Sequence, residues 1–286
     1  MKVLERPGEV SSIVQQHIKE SSTEAVDYRW NTLYKVGGVA ALVAGLVFRR
    51  NLGSEFMLLR GAGIINTGPS SPPTTIMDWF TLLQNNKLLG LTLLNVFDNV
   101  NFALVGLMFL ALFAALRKTS VSVMTIAVVI GFVGIGVYFA SNQAFSMLSL
   151  SNQYTAAATD AQKTAFLAAG QAALAIHNSA GYEGPGLYLS FLLVSIAGLI
   201  ISAVMLRSNI FSKKAAYTGI LANVFGLGSC ITVALAPSFV FLPASLSGLF
   251  WFIWYILIGI KLLQLGRGKR NRSANRIGIT TGEISK

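Results

Sequence analysis

Between Ala215 and Ile260 the chain carries no Asp, Glu, Lys or Arg for 46 consecutive residues. About 20 apolar residues cross a bilayer as a helix, so this tract is long enough for two crossings. Pro237 to Pro243 marks an uncharged hairpin between them. Only 12% of the 286 residues are charged and 53% are hydrophobic, whereas soluble domains carry about 25% charged residues. That balance excludes soluble, disordered, collagenous and disulfide-stapled chains. The lone cysteine, Cys230, lies in an apolar tract and can form no intramolecular disulfide, so cysteine usage says nothing about redox compartment.

The pattern predicts an all-α integral membrane helical bundle of about six transmembrane helices, near 32–48, 94–116, 121–140, 187–206, 215–236 and 245–264, in a bundle region of 32–265. Residues 1–31 read as a cytoplasmic N-terminal segment without the apolar core of a signal peptide. In it Val10, Ile13, Val14, His17 and Ile18 fall at helical spacing, which predicts a short amphipathic helix. Ser21 and Glu24 have capping-box spacing, and Tyr28, Trp30 and Tyr34 mark an interface before the first crossing. The stretches 49–87 and 141–183 are expected to build an extracytoplasmic cap. The first is broken by Gly61, Gly63, Gly68, Pro69, Pro72 and Pro73, and its Trp79, Phe80, Leu82 and Leu83 return the chain to the interface. In the second, Ser151 to Asn178 is rich in Ala and Gln and reads as a helix outside the hydrocarbon. Residues 266–286 read as a basic flexible tail.

Orientation follows from the cations. With six crossings and an internal N-terminus, 17 of the 22 Lys and Arg fall inside, and Arg49, Arg50, Arg60, Lys87 and Lys163 fall outside. Cytoplasmic loops carry the excess of Lys and Arg, so both termini are expected in the cytoplasm. Arg49-Arg50 is the awkward pair, and it leaves open whether the first hydrophobic segment fully crosses.

Around Leu206-Arg207-Ser208, Phe211-Ser212-Lys213, Ile220-Leu221-Ala222-Asn223 and Trp254-Tyr255-Ile256-Leu257-Ile258-Gly259 the chain resembles an uncharacterised bacterial and archaeal membrane family, domain of unknown function 4386. The resemblance covers roughly 95–266. It implies a helical bundle in a prokaryotic cytoplasmic (inner) membrane, and it carries over no catalytic residue, cofactor or ligand.

Asp98 is the only acid or base between Leu88 and Leu116, and intramembrane ionisable residues are functional candidates by default. Asn95, Asp98 and Asn99 are three and four residues apart, so they share one helical face. Asp98 precedes Arg117 by 19 residues, about 28 Å of helix at 1.5 Å per residue, which puts it near the outer boundary. Two readings stay open: a hydrated helix start with Asp98 bonded to loop backbone, or a ligand, proton or ion pocket of Asn95, Asp98 and Asn99. His177 and Glu183 fall on the same side, with Asn142, Gln143 and Tyr182, and complete the candidate pocket. No HExxH, paired cysteines or second outer histidine occurs, so neither a metal nor a cofactor is expected.

Gly131, Gly134 and Gly136 lie inside a crossing and do not spell a dinucleotide fingerprint; they read as close-packing positions. Ser195, Gly198 and Ser202, and Gly219, Asn223, Gly226 and Cys230, form small and polar stripes that let helices approach. Asn223 reads as an interhelical hydrogen-bond donor. Lys261, Arg267, Lys269, Arg270 and Arg272 form a basic juxtamembrane run suited to the phosphates of anionic headgroups at the cytoplasmic face. It lacks the stacking aromatics a nucleic-acid partner would need.

The leading expectation is a membrane protein that handles or senses a small molecule or ion through an outward-facing polar pocket, as a transporter does. An interfacial enzyme acting on a lipid-like substrate through Asp98, His177 and Glu183 is the first alternative. The second is a non-catalytic membrane scaffold. The sequence leaves the oligomeric state open.

Overall fold

The computed structural model describes residues 28–51, 73–176 and 184–282. The expected amphipathic helix around His17 lies outside the described residues, as do His177 and Glu183. Among the described residues the chain is helical, without strands. A short 3-10 turn, Tyr28–Trp30, leads into α1 (Asn31–Asn51). Then come α2 (Ile76–Asn85), α3 (Lys87–Leu93), α4 (Val96–Leu116), α5 (Val121–Ser141), α6 (Ala144–Ala156), α7 (Asp160–Ile176), α8 (Pro185–Arg207), α9 (Lys213–Leu235) and α10 (Phe241–Gly282).

Among the described residues, five stretches are long and apolar enough to cross a membrane: Val96–Leu116, Val121–Ala156 with its break after Ser141, Pro185–Arg207, Lys213–Leu235 and Phe241–Arg267. Asn31–Val47 is apolar but shorter. Large apolar side chains stand exposed along these helices, among them Val39, Leu46, Val100, Ile126, Val129 and Ile231. Patches of that size on a water-soluble monomer are rare; they fit a multi-pass membrane protein whose outer faces meet hydrocarbon.

Six helices form a closed ring. Each of α1, α4, α5, α8, α9 and α10 packs on the next, and α10 closes the ring on α1. The closing contact runs antiparallel and is built on missing side chains. A Cβ at Gly38 would lie 2.8 Å from Leu263 Cγ, one at Gly259 2.7 Å from Leu42 Cγ, and one at Gly45 3.3 Å from Tyr255 Cβ. Aromatic and aliphatic side chains fill the interior, with Tyr34, Met108, Phe109, Leu112, Met124 and Trp254 fully buried. The Tyr34 hydroxyl donates to the carbonyl of Ala114, 3.4 Å away, and ties α1 to α4.

The remaining helices, α2, α3, α6 and α7, make a smaller cluster over one end, around Trp79, Phe80, Leu83, Leu94, Met147 and Ala173. Trp79, Phe80 and Leu83, expected at the interface, are the centre of this cluster. The expected single helix over 151–178 is two helices. Gln162 Oε1 accepts from the amides of Ala158 and Thr159, and Thr159 Oγ1 accepts from the amide of Gln162, so a reciprocal cap starts α7 and stops α6. At the other end α10 continues as helix to Gly282, through the region where Gly and Ser suggested a flexible tail.

Candidate functional site

The ring and the small cluster join at two helix breaks held by one side chain. Asn95, between α3 and α4, has φ 56 and ψ 38, the left-handed region that Asn tolerates and bulkier residues avoid. The second break, at Asn142 and Gln143, separates α5 from α6. Asn142 Nδ2 donates to the carbonyls of Leu94 and Asn95 at 3.4 and 3.3 Å, and its Oδ1 accepts from the amide of Ala144 at 3.2 Å. Asn142 thus serves the backbone polar groups of both breaks, which would otherwise be left unpaired near hydrocarbon.

Directly beside this junction lies Asp98, half-buried in the first turn of α4, where the helix dipole favours a negative charge. Its Oδ2 accepts from the hydroxyl of Tyr138 on α5 at 3.3 Å. Tyr138 is fully buried and its ring stacks on Phe102 at 3.9 Å and 16°. Asn101, three residues along α4 on the face of Asp98, is only 5% exposed, and its Oδ1 has no hydrogen-bond partner. The same holds for Asn99 Oδ1 and for Oγ of the fully buried Ser190 on α8. Ser190 lies at the level of Gly134, one turn before Tyr138, where a Cβ would come 3.1 Å from the Ser190 carbonyl. A carboxylate and unpaired oxygens on α4 and α8 therefore lie toward the cap end of the ring. Each unpaired buried oxygen costs about 1–3 kcal/mol and is relieved by a donor or a cation.

No family model, curated protein or solved structure matches this chain.

Of the residues singled out in the sequence, Asp98 and Asn99 stand at this junction, Asp98 accepting from Tyr138 and Asn99 with its Oδ1 buried and without a hydrogen-bond partner, whereas Asn95 contributes its backbone turn. Among the described residues no group of three His, Cys, Asp or Glu side chains is placed to hold a metal. Tyr138, Asn101 and Ser190 escaped the sequence reading. Asn101 had a signal, being a fourth polar residue in the same apolar tract. Tyr138 had none, because an aromatic residue in a crossing helix reads as packing.

The charges divide between the two ends. Arg29, Lys35, Arg117, Lys118, Arg207, Lys213, Lys214, Lys261 and Arg267 lie at the end away from the cap, while the described acids Asp78, Asp98 and Asp160 all lie at the cap end with Lys87 and Lys163. At the cationic end the Arg117 guanidinium sits 4.9 Å above the Trp30 ring, a cation–π contact. The side chains of Lys269, Arg270 and Arg272 lie outside the described part, as do those of Arg49 and Arg50.

Between α8, α9 and α10 the small residues admit polar side chains into the interior. A Cβ at Gly198 would collide with the Asn223 amide, one at Gly219 with Ser202 Oγ and Trp254 Nε1, and one at Gly226 would lie 2.6 Å from Ser195 Oγ. Asn223 is the acceptor between helices rather than the donor. Its Nδ2 is taken by the Gly219 carbonyl one turn earlier at 2.7 Å, so Oδ1 is left to receive Trp251 Nε1 at 3.3 Å. Gly131 and Gly134 are also close-packed, with a Cβ at Gly131 only 2.6 Å from Phe109 Cε2 and one at Gly134 3.0 Å from Leu193 Cβ. Gly136 differs from the packing position expected of it: nothing lies within 4 Å of its Cβ direction.

Proposed function

We propose that this chain is a six-crossing membrane protein that binds a small cation or a hydrogen-bond-donating molecule at the junction of Asp98, Asn99, Asn101, Tyr138 and Ser190. The observation that carries the reading is the buried Asn101 Oδ1, which has no hydrogen-bond partner and lies three residues along α4 from the Asp98 carboxylate that accepts from Tyr138. The carboxylate and the unpaired amide oxygens accept, and the Ser190 hydroxyl can accept as well as donate, so a donating ligand suits them best. An anion would meet the carboxylate and is disfavoured.

The ring supports a reading of six crossings rather than five. From Lys35 to Gly45, about 15 Å of helix, α1 lies beside α10 from Gly266 back to Phe252, which favours its running alongside a crossing partner. Its exposed Val36, Val39, Val43 and Leu46 lie on one face and suit hydrocarbon. The cationic end is assigned to the cytoplasm, where its Lys and Arg meet anionic headgroups. The site then faces outward under the cap. Resemblance to domain of unknown function 4386 favours a prokaryotic inner membrane.

The test is ligand-dependent stability of the purified protein in lipid nanodiscs, titrated with sodium, methylammonium and butylammonium chlorides. A ligand that binds only the folded protein raises stability by about 2.7 kcal/mol at a hundredfold excess over its Kd. The expected result is stabilisation by at least one of these cations that is lost in Asp98→Asn and weakened in Asn101→Leu. Equal responses of the wild-type and Asp98→Asn proteins to all three salts would overturn the proposal.

A further inference from the structure

At the cap end, the chain passes from α1 to α4 through α2 and α3, and from α5 to α8 through α6 and α7, whereas α9 joins α10 by a direct turn over Pro237–Phe239. The large side chains of that turn point outward. Leu235, Phe239, Phe241 and Leu242 are 66 to 81% exposed, the most exposed large apolar side chains among the described residues. Ser238 is the only polar residue in 235–242. By contrast, the turns at the opposite end carry Arg117 and Lys118 between α4 and α5, and Arg207, Lys213 and Lys214 between α8 and α9.

This tip continues faces that already meet hydrocarbon. On α9, Leu221, Val224, Ile231 and Leu235 stand exposed at spacings of three, seven and four, which is one helix face. On α10, Leu242, Leu249, Ile253 and Ile260 repeat at seven, four and seven. A turn standing in water would end both stripes in polar side chains, but here they run through it.

The arms also have the right length. Lys214 to Leu235 is 21 positions and Lys261 back to Phe241 is 20, about 30 Å of helix on each arm at 1.5 Å per residue. The hydrocarbon core of a bilayer is about 30 Å thick, so lysines at one headgroup layer bring the tip to the hydrocarbon boundary of the other leaflet. The backbone suits that depth. Pro237 and Pro243 have no N–H, and the amides of Ala236, Phe239 and Ala244 donate to the carbonyls of Thr232, Ala236 and Val240 at 2.8, 3.0 and 3.1 Å, which leaves fewer donors in need of water.

We infer that the α9–α10 turn is a lipid anchor: Phe239, Phe241 and Leu242 seat among the acyl chains just below the headgroups of the leaflet on the cap side. The inference rests on the membrane-spanning part of the proposed function and is independent of the Asp98 site.

The experiment places single cysteines in a Cys230→Ser background, at Phe239→Cys and Leu242→Cys in the tip, at Leu249→Cys about 10 Å of helix deeper, and at Lys163→Cys in the cap. Each is labelled with the fluorophore NBD in nanodiscs and quenched by aqueous iodide or by a nitroxide on the fifth or the twelfth carbon of the lipid chain. Either tip variant with a wild-type melting temperature serves. The expected result is at least threefold stronger quenching of the tip by the shallow nitroxide than by iodide, strongest quenching of Leu249→Cys by the deep nitroxide, and of Lys163→Cys by iodide. A tip quenched by iodide as strongly as Lys163→Cys, with Leu249→Cys still quenched by nitroxide, overturns the anchor and leaves the membrane-spanning reading standing. Iodide quenching of Leu249→Cys as well overturns that reading too. A tip quenched by neither agent is covered by protein, from this chain or a second copy, and also overturns the inference.

Discussion

The hydroxyl of Tyr138 reaches the Asp98 carboxylate at 3.3 Å across 40 positions of sequence, while the ring that carries it lies flat on Phe102 at 3.9 Å. One side chain thus links the charge at the cap end to the packing of the ring. Tyr138→Phe removes the hydroxyl and keeps the stack. At 3.3 Å the bond is longer than the usual O–H···O range, so the loss expected in equilibrium unfolding in mixed micelles is that of an ordinary hydrogen bond, about 0.5–1.5 kcal/mol. A loss under about 0.5 kcal/mol, less than an ordinary neutral hydrogen bond, would mean that the bond does not stabilise the fold.

The glycines divide into two classes that mutagenesis separates. Gly219→Ala drives a methyl group into Ser202 Oγ and Trp254 Nε1, and overpacking of that kind costs about 1–3 kcal/mol. Gly136→Ala meets nothing within 4 Å and gains helix propensity. Melting temperatures in one detergent should fall for the first and hold or rise for the second; the reverse order would contradict the packing described between α8, α9 and α10.

Asn142→Ala leaves the carbonyls of Leu94 and Asn95 without their donor. Faster amide exchange is expected at both breaks, around 93–98 and 142–146, with little change in α9 and α10. Exchange confined to one of the two breaks would show that they are held independently.

The cap end has a pH dependence of known sign. The Thr75 backbone amide, followed by the Thr75 hydroxyl and with help from Thr74, holds the Asp78 carboxyl below its ordinary value of 3.8. The contact is a capping box at the start of α2, with the Thr75 amide 2.8 Å from Asp78 Oδ2. Because the folded value is the lower one, its stabilisation is complete above the unfolded value and is lost as the pH falls through the folded one. Amide protection at Thr74 and Thr75 should therefore be constant from neutral pH down to about 4, by the ordinary carboxyl range, and decline below it. Asp78→Asn should show no such decline.

Orientation is open to a direct chemical test, because the chain has one cysteine, Cys230, and it is buried. In a Cys230→Ser background, an impermeant maleimide applied to intact cells should label Lys163→Cys at the cap and spare Lys118→Cys until the membrane is opened. The opposite pattern would invert the proposed topology.

Much of the helical layout was legible because lipid imposes one requirement on every residue of a crossing: the absence of charge over about 20 positions is a local, additive signal. Asp98 stood out by the same logic, as the one acid in its tract. The ring was not legible. Closure of α10 on α1 depends on which glycines face which leucines, as at Gly38 and Leu263, and no local pattern encodes a partner over two hundred positions away. Tyr138 and Asn142 were opaque for a related reason. Their partners lie 40 and 47 positions away, and an aromatic residue in an apolar helix or an amide at a helix end has a plausible local role that conceals the distant one.

The closure of the ring also sets an order of events during biosynthesis. Helix α1 is seated on one side by α4, but its other neighbour, α10, lies about two hundred positions later in the chain. At about 5–20 residues per second, roughly 10–40 s separate the synthesis of α1 from that of its last partner. Over that interval the glycine-lined flank of α1 lacks the partner that covers it in the folded ring, and the ring closes only when α10 arrives.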